Sequence, residues 1–119
     1  MTHPIGQRTA ALAEANRVRT TRARLHHEIK ADQDPLNRLA DLIEDAPTEV
    51  QNMPIGQLLM WAPGVGPSLT KRWLSQVDVF SEMRPVRLVT VRQRHGLAQI
   101  LRGRKVELKK RIDALGALR

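Results

Sequence analysis

Trp61-Ala62-Pro63-Gly64-Val65-Gly66-Pro67-Ser68 is a turn set between two runs of helically spaced apolar residues, and its reading decides the fold. Glycine has no Cβ, so it accepts positive φ and lets the main chain come close to a ligand. Amide N–H groups at the start of the next helix then point at an anion such as a phosphate oxygen. Gly66 suits the N-cap, and Pro67 suits the first helical position, where a missing N–H costs nothing and a fixed φ fits the helix. The second helix is therefore predicted to begin at Pro67, with Leu69, Trp73 and Val77 four apart on its buried face. Ser68, Lys71 and Arg72 are left for an outward face. Before the turn, Ile55, Leu58, Leu59 and Ala62 supply the matching apolar face. The pair reads as a helix-hairpin-helix, a backbone device for holding nucleic-acid phosphates. A plain tight connection is the simpler reading of Gly-x-Gly alone, and the basic surroundings tip the balance toward the motif.

Those surroundings extend along the chain. With 119 residues, one domain with extensions is expected, too small for a typical two-domain enzyme. Twenty Lys and Arg against twelve Asp and Glu give a net charge of +8, which favours a polyanionic partner. The charge is polarised: residues 1–31 hold six basic and two acidic groups, 32–64 one and six, and 65–119 thirteen and four. There is no cysteine, which excludes disulfides and thiolate metal sites. Without a membrane-length apolar run or a recognisable signal peptide, cytoplasmic residence is the expectation. Trp61, Trp73 and Phe80 are the only aromatic residues of the Phe, Trp and Tyr class, all in apolar surroundings. Stacking platforms for unpaired bases are thus scarce, which favours duplex backbone contact.

From about Arg8 to Asp32 there is no Gly or Pro, and the composition predicts a long helix. Ala11, Val18, Leu25 and Ile29 line one narrow stripe, with Arg17 and Arg24 on one flank and Arg8, Arg19 and Lys30 on the other; a helix resting on the domain by that stripe can present arginines, Arg17 and Arg24 among them, to a DNA phosphate backbone. Asp34-Pro35 ends that helix and starts another, which buries Leu36, Leu39, Leu42 and Ile43 and turns the acidic Asp41, Glu44 and Asp45 outward. Met53-Pro54 repeats the start signal for the hairpin's first helix. The stretch Arg84-Pro85-Val86-Arg87-Leu88-Val89 reads as a loop. Thr90 and Gln93 form a capping box, so a helix from Val91 to about Arg102 is predicted, burying Leu97, Ile100 and Leu101. Arg92 and Arg94 lie in its first turns, where cations oppose the helix dipole unless an anion sits nearby. Past Gly103, Leu108, Ile112 and Leu115 share one face of a second basic helix candidate. The class is all-α: a long N-terminal helix over 1–33, a helix-two-turn-helix domain over 34–102 and a basic extension over 103–119.

The hairpin, Arg84, Arg87 and Arg92-Gln93-Arg94, taken with the arginine- and alanine-rich first helix and the Leu-rich second, resembles the actinobacterial integration host factor family. These are small basic nucleoid proteins with a helix-two-turn-helix domain behind a long helix, and the likeness covers about residues 8–102. The resemblance implies a sequence-tolerant, nucleoid-associated protein that binds double-stranded DNA and organises or bends it, assisting recombination with a recombinase on the same DNA. It implies contact with duplex phosphates by Gly64, Val65 and Gly66 and by the polar residues after them, Ser68, Thr70, Lys71 and Arg72. Arg84, Arg87, Arg92 and Arg94 look like the family's second basic surface, with which a protein touches another DNA segment. Pro67 stands where the family usually has a basic residue, so phosphate contact by a lysine there is not carried over. The tail past Gly103 has no counterpart in the family, which suits a phage-borne or accessory copy.

Three other classes compete, and one of them is protein-only scaffolding through the two long helices. The helix-two-turn-helix also resembles a region of a small-subunit ribosomal protein, so RNA or ribosome binding is the alternative. Base-excision glycosylases use similar hairpins, but the chain is short for a base pocket, and Asp78, the nearest acid, reads as a turn residue. No enzyme activity, cofactor, metal or small-molecule substrate is expected. His3, His26, His27 and His95 lack ligand spacing and read as surface residues.

Overall fold

Asp34 and Pro35 divide the first two helices by local chemistry: an Asp34 carboxylate oxygen accepts from the Asn37 amide at 3.4 Å, and Pro35 takes the first helical position. In the computed structural model, which describes residues 4–103, every regular element is helical. Helix α1 spans Pro4–Ala31, α2 Pro35–Asp45, α3 Ile55–Leu59 and α4 Pro67–Gln76, and α5 occupies 91–103. Short 3-10 turns lie at Thr48–Val50 and Val86–Leu88. The expected all-α class is met among the described residues. The basic helix expected past Gly103 lies outside them.

Helix α1 begins four residues before the predicted start, and its 28 residues make a rod of about 42 Å. Only its C-terminal part joins the core. Ile29 is buried, Leu25 and Val18 are half-buried, and Ala11 is exposed, so the predicted stripe is covered at one end only. Two arginines fasten the rod to the Thr48–Val50 turn: Arg17 Nη1 donates to Glu49 Oε1 at 2.8 Å, and Arg22 Nε donates to the Glu49 carbonyl.

The core gathers Leu39 and Ile43 from α2, Ile55, Leu58 and Leu59 from α3, Trp73 and Leu74 from α4, and Leu97 and Leu101 from α5. Helix α4 starts at Pro67 as its sequence requires, but its buried face is wider than the four-spaced column suggests. Thr70, Trp73 and Leu74 are buried, while Leu69 and Val77 are only partly covered. A core-facing helix needs a stripe about 100° wide, and Thr70 falls inside it. The hydroxyl of Thr70 is buried with no hydrogen-bond partner. This corrects the expectation that Thr70 contacts DNA. Replacing Thr70 by valine keeps the shape and removes the orphan donor, so Thr70→Val is expected to stabilise the fold by about 1 kcal/mol. Thermal melts with duplex titrations check this, and a lower melting point would contradict it.

Segment 81–87 is stitched to 51–56. Ile55 N donates to Arg84 O at 2.8 Å, Gly56 N to Glu82 O at 2.9 Å, Val86 N to Met53 O at 2.9 Å and Arg87 N to Gln51 O at 2.9 Å. The expected loop is thus a fixed strap with Val86 and Val89 buried beneath it. Helix α5 opens with the predicted capping box: Gln93 N donates to Thr90 Oγ1 at 3.1 Å, and Thr90 N to Gln93 Oε1 at 3.0 Å.

Candidate nucleic-acid interface

Short helix α3 and helix α4 frame the corner at 63–66. Gly64 has φ +83, a left-handed conformation that asks for glycine, whereas Gly66 is extended at φ −102 and needs no such freedom. Nothing lies within 4 Å of where a Cβ would sit on either residue, so the corner is open. Pro63, Gly64, Pro67 and Ser68 are exposed, and Val65 and Gly66 are half-covered. Val65 packs against the core and commits its amide to Ala62 O at 3.2 Å, which corrects its expected role as a phosphate donor. The Thr70 amide caps Gly66 O at 3.1 Å. Among the described residues, the amides of Gly64, Gly66, Ser68 and Leu69 have no acceptor, and Gly66 has no capping side chain. Open amides at a helix start favour an anion.

The arginines divide into two sets. In the first, Arg17 pairs with Glu14 at 2.7 Å and with Glu49 at 2.8 Å. Both carboxyls are held below their ordinary range by hydrogen bonds from that guanidinium, and the guanidinium is held above its own. Arg17 therefore braces α1 while its side chain stays about half exposed. Arg24 keeps most of its exposure, lying 3.5 Å from Glu28, which also accepts from Arg38 at 3.1 Å. Arg94 Nη1 donates to the carbonyls of Ile43 at 3.3 Å and Glu44 at 3.1 Å, closing the C-terminal end of α2. Arg94 thus has a structural task besides its expected place on the second DNA surface: a cation at a helix C-terminus meets the partial negative charge of its last carbonyls. Arg102 reaches Asp41 at 2.7 Å and Glu44 at 3.1 Å, and His95 Nδ1 lies 2.9 Å from Glu44. Glu44 is held below the usual carboxylate range first by Arg102 and then by His95. The acids of α2, Asp41, Glu44 and Asp45, are exposed as expected, and Asp41 and Glu44 also dock α5 through Arg102 and His95.

In the second set, Lys71, Arg72, Arg84, Arg87 and Arg92 have no carboxylate within ion-pair distance among the described residues. Lys71 and Arg72 are exposed on the first turns of α4, beside the open amides. Arg84 and Arg87 ride on the strap. Arg92 shares a cleft with Gln76, Val77 and Asp78 at the far end of α4, about 15 Å from the hairpin along a ten-residue helix. The structure thus brings Lys71 and Arg72 to the corner and sets Arg92 apart from it.

Two side chains depart from their sequence reading. His26 stacks on Trp61, with ring centroids 5.0 Å apart and planes 10° from parallel, so it is not a plain surface residue. Burial, then Lys30, pushes its pKa below the ordinary value. Phe80, expected in apolar surroundings, is 79% exposed, while Trp61 and Trp73 are buried. The alternation of buried Val79 with exposed Phe80 is a two-residue signal, too short to read without the strap. Asp78 has φ +63 and sits in the turn after α4, as expected of it. Among the described residues, no group of three metal-binding side chains occurs, and no helix is long and apolar enough to cross a membrane. Compared with family models, curated proteins and solved structures, the chain matches none.

Proposed function

We propose that this chain is an architectural protein that binds double-stranded DNA with little regard to sequence, acting in the nucleoid as integration-host-factor-like proteins do. The observation that carries the reading is the juxtaposition of open amides at Gly64, Gly66, Ser68 and Leu69 with the unpaired Lys71 and Arg72. The amides take a phosphate by direction, and the two cations neutralise its neighbours. Arg84, Arg87 and Arg92, equally unpaired, serve as a second basic surface for another stretch of duplex. Sequence preference is expected to be weak and to arise mainly from DNA deformability. Bending DNA in this way also provides for a recombinase on the same duplex.

The test is binding of the full chain to a short duplex across a salt series. With about six phosphates neutralised, the log–log slope is expected near −5, because each contact releases close to one counterion. A slope near zero overturns the proposal. Competition with duplex RNA and ribosomal subunits at equal salt separates it from the RNA alternative, which gains if RNA displaces DNA.

A further inference from the structure

Phe80 is presented to solvent by a rigid backbone. On one side Val79 is buried and its amide bonds Leu74 O at 2.9 Å; on the other, Glu82 O accepts from Gly56 N at 2.9 Å. Phe80 shares a cleft with Lys71, Ser75 and Met83. Met83, 69% exposed, continues into a second groove with Met60 and Pro67. An apolar strip therefore runs from Phe80 to the first residue of α4, with Lys71 lining the cleft at Phe80 and the open amides next to Pro67.

We propose that this strip is a wedge: Phe80, backed by Met83, inserts between two base pairs of the duplex and kinks it. The inference rests on the DNA-binding reading above and adds how the duplex is deformed. Charge chooses the occupant. Glu82 lines both grooves, so a phosphate is repelled from the strip itself, while the neighbouring amides and Lys71 attract phosphates to its two ends. A base step flanked by its own backbone meets both demands: apolar faces in the middle and anions outside. Apolar wedges of this kind unstack a step and bend DNA by about 20–90°, and flexible pyrimidine–purine steps yield most readily.

The experiment uses the full chain and duplexes carrying end-attached dyes and 2-aminopurine at successive TA steps. The wild-type protein is expected to shorten the end-to-end distance and raise 2-aminopurine fluorescence. Phe80→Ser, at an exposed position that leaves the core intact, is expected to lose both signals. Its affinity should fall only about fivefold, because the lost stacking is offset by the unstacking no longer required. Phe80→Trp should keep both signals. Salt-dependent binding by a wild-type protein that neither bends DNA nor brightens 2-aminopurine overturns the wedge and leaves the DNA-binding reading standing. A Phe80→Ser protein that bends normally, or one that changes only its oligomeric state in sedimentation, also overturns the wedge. Absence of duplex binding by the wild type at any salt overturns both.

Discussion

Replacing Lys71 and Arg72 together by glutamate is expected to weaken duplex binding by roughly a hundredfold near 0.1 M salt. Each lost phosphate contact removes about 0.9 from the log–log salt slope, so two contacts account for close to a hundredfold relative to 1 M, and reversed charge adds repulsion. The slope itself should become shallower by about 2. Both side chains are exposed and have no ion-pair partner among the described residues, so the fold is not at stake. Fluorescence anisotropy of the variant across salt, with a melt to verify folding, provides the measurement. Affinity within twofold of the parent and an unchanged slope would remove the hairpin from the interface.

Gly56→Val is expected to cost about 3 kcal/mol, among the larger penalties for overfilling a close contact. A Cβ on residue 56 would lie 2.7 Å from the Glu82 Cβ and 3.1 Å from the Glu82 carbonyl oxygen. The obstacles are the Glu82 Cβ, fixed directly to the main chain, and the backbone carbonyl behind it, and neither can swing aside as the tip of a flexible side chain does. The strap must lift, and the bonds from Ile55 N to Arg84 O and from Gly56 N to Glu82 O go with it. For a domain of this size the melting midpoint should fall on the order of 15 °C. Calorimetry decides the matter; a variant melting within a few degrees of the parent would mean that the strap is not held as described. Since Phe80, Arg84 and Arg87 all ride on this strap, its lifting also disorders part of the proposed interface.

What could be read from the sequence was local chemistry. Asp34-Pro35, Gly66-Pro67 and Thr90 with Gln93 each announce a helix start within four residues, and all three stand where expected. The apolar faces of α2 and α5 followed from their spacing in part: Leu39, Ile43, Leu97 and Leu101 are buried, whereas Leu36, Leu42 and Ile100 are half-covered. Pairings between distant segments were not legible. Nothing local says that Glu44 will meet Arg102, or that Arg94 will close α2 from 50 residues away. For that reason the internal pairings of Arg17 and Arg94 were missed: an arginine count cannot tell which cations the fold also uses internally. Thr70 and Phe80 erred in opposite directions for a related cause. Polarity placed one outside and apolarity placed the other inside, yet packing around Trp73 and the strap decided both positions.

In the outer part of α1, no residue from 7 to 16 is even half-buried. A free peptide of that length would be marginal in water, since starting a helix is the unfavourable step. Here the anchored turns near Leu25 and Ile29 have already provided the nucleus, and the outer turns need only propagate from it through good helix formers such as Ala10, Ala11, Leu12, Ala13 and Ala15. The arm can therefore fray and rewind turn by turn, adjusting its reach continuously while the domain beneath it remains all-or-none.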